Sequence, residues 1–311
     1  MIYPWGIIGH DKQLEQLEKE ISGNQLTHAY LFYGPMDTGK FTTARIFAEI
    51  LLCPNNLCHE CRDCQLVKSG SHPDLIRMTD DGQTIKIDDV RALIHKTNLT
   101  SQGKRRIVLI ENLERMPIEA QNSFLKTLEE PPGDTVFLMT STQVKKIVPT
   151  ILSRVRQMGF SLVADDVMER ELKQRFKDHP DLPEVLEMAQ GRMGLATTLL
   201  SQPLKLASYK AVFNQVDVFL RNNDLVGKFA YAEVLEADSE KLELFFDSFC
   251  FTLRKAVYDY AGGKPHPLRT RYTLKGLSDL FEYLLKTRYL IDRNANKKLS
   301  LENFFLQTER S

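Results

Sequence analysis

The chain has 311 residues, of which 42% are hydrophobic and 26% are charged. This length allows a sizeable core and exceeds what one compact unit usually holds, so we expect two or three domains. The 41 basic side chains equal the 41 acidic ones, which excludes nucleic-acid binding driven by overall charge. No basic flank with an apolar segment behind it opens the sequence, and no eighteen apolar residues run together. We therefore expect a cytoplasmic protein with no membrane partner.

Short β-rich segments alternate with amphipathic segments through the first half of the chain. Strands are predicted over residues 29–33, 74–78, 106–110 and 135–139. Strands that alternate with helices form a mostly parallel sheet, so the predicted fold class is α/β. No strand pattern follows Phe160.

Helical periodicity dominates from Asp165 onward, with breaks at 179–180, 202–203 and 262–267. Seven apolar residues share one face of a predicted helix at i, i+3 and i+4 spacing: Leu242, Phe245, Phe246, Phe249, Leu253, Val257 and Tyr260. Such a face favours core packing, and contact with another subunit is the alternative. Cys250 lies among these residues and is interpreted as a buried thiol.

A phosphate-loop pattern follows the first predicted strand and comprises Gly34, Gly39 and Lys40. In such loops the backbone N–H groups cradle phosphates, the lysine reaches the β and γ oxygens, and a Ser or Thr hydroxyl holds Mg²⁺. Phe41 occupies the hydroxyl position. Thr42 is no substitute, because one further helical residue turns its side chain about 100° away. An ordinary glycine turn is the alternative interpretation.

The acidic element of a phosphate-loop site is expected at the end of a later strand, where an aspartate orients Mg²⁺ and a glutamate activates water. Glu111 and Asn112 follow the predicted strand 106–110. Glu111 can face a metal, but Asn112 cannot act as a base. Together with Phe41 this predicts no intrinsic ATPase activity, and it leaves weak nucleotide binding through Lys40 open.

Cys53, Cys58, Cys61 and Cys64 lie within one short insertion after the phosphate-loop helix. Tetrahedral zinc takes four thiolates, and two-residue gaps let a turn deliver neighbouring cysteines to one ion. A redox pair, which would use two of the cysteines, and an iron–sulfur cluster are the alternatives. Four thiolates complete the zinc shell, so the predicted ion is structural. His59 is an alternative ligand, but the four thiolates already fill the shell.

Four further stretches carry a resemblance: 27–32, 71–74, 122–132, which reads NSFLKTLEEPP, and 150–154, which reads TILSR. With the cysteine cluster they resemble the AAA+ subunits of the bacterial DNA polymerase III clamp loader. That complex opens the ring-shaped sliding clamp and places it on primed DNA. The resemblance covers the first 200 residues well and the remainder only through helical pattern.

The resemblance implies three domains. These are an AAA+ domain over 1–163 with a zinc module at 53–64, a helical lid over 164–206 and an all-α collar domain over 207–311. It also implies a hetero-oligomer, a pentamer with gamma/tau-type and delta-type subunits, within the DNA polymerase III holoenzyme, a nucleotidyltransferase. The sliding clamp and primed DNA would be reached through that assembly.

Two kinds of clamp-loader subunit carry the zinc module, and they differ in the nucleotide site. The motor subunit, gamma or tau, keeps an intact site, whereas the delta-prime subunit typically has a degraded one. Phe41 and Asn112 resemble the delta-prime pattern. Gly194 stands where motor subunits are expected to carry a sensor arginine, although Arg192 lies two residues earlier. The resemblance therefore implies a non-hydrolysing subunit.

Arg154 matches the arginine of the family's Ser-Arg-Cys motif, with Val155 in place of the cysteine. In the family this arginine acts across a subunit boundary, where a guanidinium stabilises the charge that develops on a neighbour's γ-phosphate. A solvated surface arginine is the alternative. The resemblance makes Arg154 the predicted catalytic residue, acting in trans.

Two other functions compete with this interpretation. One is a gamma/tau-type motor ATPase, which a hydroxyl at position 41 would favour. The other is a module that binds nucleic acid directly through the zinc site and the loop. The basic runs 104–106 and 145–146 are candidates for phosphate contact, although most such runs are solvated faces.

Overall fold

The computed structural model describes residues 3–55, 57–79, 85–99, 101, 103–177 and 179–309. It divides into two compact units, Met1–Thr197 and Thr198–Ser311. The division into three domains, with a lid separate from the AAA+ domain, stays a prediction. Among the described helices, none combines the length and the apolar character needed to cross a membrane.

The first unit is built on a parallel sheet whose strand order is β2-β3-β4-β1-β5. Its strands are β1 (Ala29–Tyr33), β2 (Leu75–Met78), β3 (Arg106–Ile110), β4 (Thr135–Ser141) and β5 (Arg156–Gly159). The first four confirm the predicted strands, with β2 beginning one residue later and β4 ending two residues later. β5 was not predicted, because its exposed Arg156 and Gln157 give no apolar alternation.

Helices cover both faces of this sheet. One face carries α1 (Asp11–Ser22), α2 (Lys40–Leu52) and α3 (Arg62–Ser69), and the other carries α4 (Ile87–Thr97), α5 (Ile118–Glu129) and α6 (Pro149–Leu152). Three helices follow β5 in the chain, namely α7 (Asp165–Phe176), α8 (Leu182–Ala189) and α9 (Met193–Ser201), and the division between the two units falls within α9. Two buried clusters result, one on each face. Tyr30 and Phe32 of β1 belong to one cluster, and Ala29 and Leu31 belong to the other, as expected when successive side chains point to opposite faces.

The second unit is helical over its described residues and has its own core. Its helices are α10 (Pro203–Arg221), α11 (Leu225–Ala237), α12 (Ser239–Ala261), α13 (Leu274–Asp292) and α14 (Lys297–Gln307). The apolar face predicted for α12 lies in this core, with Phe245 and Phe249 fully buried. Cys250 packs against the same core, and burial raises the pKa of its thiol.

Phe245 lies at the centre of a ring of aromatic contacts, with its centroid 5.2 Å from Phe249 and 5.7 Å from Phe305. Replacing a buried phenylalanine by alanine removes apolar burial and leaves a cavity, so Phe245→Ala should lower the free energy of unfolding by about 3–5 kcal/mol. Denaturant titration measures this change. Tyr258→Ala on the same helix is the control, because Tyr258 is 74% exposed. Equal losses in the two variants would contradict the assigned core.

Candidate functional site

The phosphate-loop sequence lies between the end of β1 and the start of α2. Gly34 has φ 147°, and a Cβ at this position would lie 2.0 Å from the carbonyl oxygen of Phe160. The Phe160 N–H donates to the Tyr33 carbonyl oxygen at 2.7 Å. Only glycine fits so close to a neighbouring backbone. The loop is therefore anchored to the segment that follows β5.

Lys40 begins α2 and is only 5% exposed. Its Nζ donates to the Pro35 carbonyl oxygen at 2.5 Å, within its own loop. Burial lowers the pKa of Lys40 to about 8, against the opposing charges of Asp37 and Glu114. The lysine that would reach phosphate oxygens is thus held by a carbonyl group of the loop.

Phe41, at the position of the expected magnesium-binding hydroxyl, packs against the hydrophobic cluster beside β1. The guanidinium of Arg77 lies 6.0 Å from the centroid of its ring. Thr42 is exposed, and the buried Thr43 hydroxyl donates to the Gly39 carbonyl oxygen at 2.9 Å. Position 41 therefore serves core packing, and it offers no oxygen to a metal ion.

The acidic element follows β3, as the sequence predicts. The Glu111 N–H donates to the Met78 carbonyl oxygen at 2.9 Å, which places Glu111 beside the end of β2. Asn112 has a left-handed backbone, with φ 50°, and its N–H donates to the Thr140 hydroxyl at 3.0 Å. An amide side chain at this position provides no general base.

Glu114 is a second carboxylate near the ends of β3 and β4, and the sequence analysis missed it. Its Oε1 accepts hydrogen bonds from the Thr142 N–H at 2.8 Å and from the Thr142 hydroxyl at 2.6 Å. Its Oε2 is buried without a hydrogen-bond partner among the described residues. The negative charge of Glu114 acts on Lys40 and raises the pKa of that lysine against the effect of burial.

Gly194, in the first turn of α9, contacts the loop directly. Its N–H donates to the Asp37 carbonyl oxygen at 2.8 Å, and a Cβ on Gly194 would lie 2.7 Å from that oxygen. An arginine at position 194 is incompatible with this contact. Arg192 does not take that position, because its guanidinium donates to the carbonyl oxygens of Met188 and Ala189 at the end of α8.

The four cysteines of the predicted zinc site meet in space, with all Sγ atoms within 4.8 Å of one another. The Cys53 Sγ lies 3.8 Å from the Sγ atoms of Cys58 and Cys61. Ligands about 2.3 Å from a tetrahedral zinc ion are themselves about 3.8 Å apart. The spacing therefore fits four thiolates around one metal ion.

Backbone N–H groups point at these sulfur atoms and favour the thiolate form. The Cys61 N–H donates to the Cys58 Sγ at 3.3 Å, and hydrogen bonds from the N–H groups of Glu60 and Cys61 lower the pKa of Cys58 to about 6. Burial raises the pKa of the Cys64 thiol. His59, the predicted substitute ligand, is exposed and lies outside the set of four.

His72 connects the cysteine module to the sheet, a role that the sequence analysis missed. Its buried ring accepts a hydrogen bond at Nδ1 from the Asp74 N–H at 3.1 Å. Its Nε2 lies 3.5 Å from the Asp63 carboxylate in α3, next to Cys64. The motif at 71–74 thus links the start of β2 to the helix that carries the last cysteine.

Arg154 follows α6 and lies at the surface, with 36% of its side chain exposed. Its Nη2 is 2.5 Å from the Glu129 Oε1, at the end of α5. Its Nη1 donates to the Thr150 carbonyl oxygen at 2.9 Å and to the Ser153 hydroxyl at 3.2 Å. Val155 is partly buried and packs against the core, so its side chain does not constrain Arg154.

The basic run 104–106 contains two arginines that have partners within the fold. Arg106 is buried and donates to the carbonyl oxygen of Thr97, the last residue of α4, at 2.7 Å. Arg105 forms an ion pair with Asp134 at 2.9 Å. In the run 145–146 both lysines are exposed. These two arginines therefore bind groups within the fold, and direct contact with DNA stays a prediction.

The strand order, the loop after β1 and the acidic position after β3 define an AAA+ domain of the phosphate-loop class. A solved DNA polymerase III gamma-subunit-related protein from Thermotoga maritima matches with a TM-score of 0.50 and 19% identity, covering 96% of this chain and 99% of that one. At this identity the match shows the fold alone.

Sequence comparison identifies the family. The family described as "DNA polymerase III, delta subunit" matches residues 9–164. The delta-prime subunit of DNA polymerase III from Pseudomonas aeruginosa is 32% identical over 98% of this chain and 90% of its own length. The delta-prime subunit from Bacillus subtilis is 34% identical over 51% of this chain and 50% of its own length. The chain belongs to the DNA polymerase III delta-prime family, a family of clamp-loader subunits.

Gamma/tau subunits are also relatives of this chain, over a shorter stretch. The gamma/tau subunit of Mycoplasma pneumoniae is 29% identical over 66% of this chain and 31% of its own length. The delta-prime interpretation is therefore confirmed over the gamma/tau alternative. The α/β fold and the family resemblance are confirmed as well.

A pH titration tests the burial of Lys40. Its pKa is lowered from 10.5 to about 8, so between these pH values the unfolded chain keeps a proton that the folded chain has released. The folded state is then favoured as pH rises. The unfolding free energy of the wild type minus that of Lys40→Met should increase by about 1–3 kcal/mol between pH 8 and 10.5.

The measurement is a series of denaturant titrations across this pH range. Lys286→Met, which removes an exposed lysine of α13, is the control and should run parallel to the wild type. Parallel curves for Lys40→Met and the wild type would contradict the buried position of Lys40.

Proposed function

We propose that this chain is the non-hydrolysing subunit of a clamp loader, and that it supports loading of the sliding clamp onto primed DNA. The observation that carries the proposal is the position of Phe41, which fills the place of the magnesium-binding hydroxyl and packs into the core. Mg²⁺ coordinates oxygen ligands and bridges the β- and γ-phosphates in phosphoryl transfer. A loop without that hydroxyl lacks one of the parts that hydrolysis requires.

Two further contacts support the absence of turnover at this site. Lys40 is bonded to the Pro35 carbonyl oxygen, so nucleotide binding would have to break that bond. The N–H of Gly194 is bonded to the Asp37 carbonyl oxygen, which brings α9 against the loop. Asn112 supplies no base. These contacts support a site that does not hydrolyse ATP, and they leave residual nucleotide binding open.

The proposed contribution to ATP hydrolysis is made in trans by Arg154. Its guanidinium is exposed, in contrast to the buried Lys40, and it lies on an element that does not belong to the chain's own phosphate loop. An arginine that reaches a neighbour's γ-phosphate stabilises transition-state charge, an effect worth roughly 10³–10⁵ in rate. The partners that would supply this ATP are gamma/tau-type subunits, with a delta-type subunit completing a pentamer.

The four cysteines are proposed to hold one structural zinc ion. Cys53, Cys58, Cys61 and Cys64 would fill its tetrahedral shell, which leaves no position for water or substrate. When bound, the ion supplies folding energy to the module. The chain's own contribution is the set of N–H···S contacts and the connection through His72.

The test of the catalytic proposal is the ATPase rate of the complex assembled with gamma/tau-type and delta-type subunits. Arg154→Ala should lower the turnover number by at least roughly tenfold while assembly is retained, since the side chain makes only surface contacts here. Arg91→Ala is the control, because Arg91 is also exposed and paired with a carboxylate, that of Asp88. The isolated chain should show no turnover.

An unchanged rate for the Arg154→Ala complex would overturn the assignment of the finger. Turnover by the isolated chain that Lys40→Ala abolishes would overturn the non-hydrolysing role instead. Size-exclusion chromatography of each complex separates these outcomes from failed assembly.

Metal content tests the zinc proposal. The purified chain should carry about one zinc ion per molecule, measured by elemental analysis. Cys61→Ser should lose most of the metal and lower the unfolding temperature. Cys250→Ser should keep it, because Cys250 lies in the second unit, outside the four-cysteine group. Equal metal content in the two variants would contradict the ligand set.

A further inference from the structure

Glu129 and Arg154 come from different elements and meet at the surface of the first unit. Glu129 is the last residue of α5, and its carboxylate Oε1 lies 2.5 Å from the Arg154 Nη2. The guanidinium is held on its other side by the Thr150 carbonyl oxygen and the Ser153 hydroxyl, both bonded to Nη1. The planar head of the arginine is thus held at two edges by two different parts of the chain.

These contacts matter because an arginine side chain is long and flexible. An untethered side chain of this kind samples many rotamers, and immobilising it costs conformational entropy. Thr150 and Ser153 lie in the same turn as Arg154, and their bonds hold only the Nη1 side of the guanidinium. They do not fix the direction in which the Nη2 side points. The bond from Glu129 fixes that direction, because it comes from the end of a separate helix.

We propose that Glu129 is the positioning residue for Arg154, and that it orients the guanidinium toward the nucleotide of the neighbouring subunit. The proposal rests on the proposed function of Arg154 in trans. Glu129 lies in the stretch 122–132, which carries part of the family resemblance. That resemblance implies no role for this side chain. The ion pair gives its carboxylate a role in the reaction without contact with the substrate.

The ion pair of Arg154 and Glu129 lies at the surface, so the fold does not depend on it. The side chains of Arg154 and Glu129 are 36% and 48% exposed. Exposed ion pairs add little to stability, so removing the carboxylate should leave the domain folded. The effect of Glu129 should therefore appear in the geometry of the finger, where a displacement of about 1 Å can cost up to roughly 100-fold in rate.

The chain offers a matched control at the next position. Glu130 carries the same charge and is exposed, and among the described residues the ion pair of Arg154 is made by Glu129 and not by Glu130. Glu129→Ala and Glu130→Ala therefore remove equal charge from adjacent residues, and only the first removes the hydrogen bond to the guanidinium. Glu129→Gln keeps an acceptor oxygen and loses the charge.

The experiment is steady-state ATP hydrolysis by the complex assembled with gamma/tau-type and delta-type subunits. Glu129→Ala should lower the turnover number by roughly five- to tenfold with KM for ATP unchanged, because the finger is displaced while the nucleotide site of the neighbour is intact. Glu129→Gln should recover part of the loss, and Glu130→Ala should match the wild type. The double variant Glu129→Ala/Arg154→Ala should equal Arg154→Ala alone.

Two results would overturn the positioning role while leaving the finger in place. One is a normal turnover number for Glu129→Ala in a complex that Arg154→Ala impairs. The other is an increase in turnover for Glu129→Ala, which would mean that the carboxylate restrains the guanidinium. If Arg154→Ala itself has no effect, the proposed function fails first and the positioning role fails with it.

Discussion

The first unit depends on the burial of β1 on both faces. β1 pairs with β4 on one side and β5 on the other, and its alternating side chains contribute to both hydrophobic clusters. The loop that begins at Gly34 leaves this strand at a point fixed by the close approach of the Phe160 backbone. The position of the loop is therefore set by packing and hydrogen bonds within the chain.

Two residues that depart from the phosphate-loop pattern have packing roles. Phe41 joins the core where a hydroxyl would face a metal ion, and Gly194 lets α9 approach the Asp37 carbonyl oxygen more closely than any other residue would allow. Asn112 differs as well, because its side chain carries an amide in place of a carboxylate. The loop region therefore departs from the phosphate-loop pattern at several separate positions.

Much of this arrangement was predictable from local patterns, and what was missed depends on contacts between distant residues. The four apolar strands, the α12 face and the cysteine cluster each have a periodicity or spacing that the sequence displays. β5 has exposed polar residues at its start, so only its pairing with β1 identifies it as a strand. Glu114 and Thr142 are 28 residues apart in sequence, and no local pattern joins them. Arg106 belongs to a basic run in the sequence, yet it is buried and donates to carbonyl oxygens at the end of α4.

Lys40 and Arg154 show how the two cations associated with phosphate chemistry differ in this chain. Lys40 is almost fully buried and bonded to a carbonyl oxygen of its own loop, and burial disfavours its charged form. Arg154 is partly exposed and paired with a carboxylate that stays accessible to solvent. A guanidinium keeps its charge in either environment, whereas an ammonium group loses its charge more readily when buried. Of these two cations, Arg154 is therefore the one that keeps its charge and stays accessible to solvent.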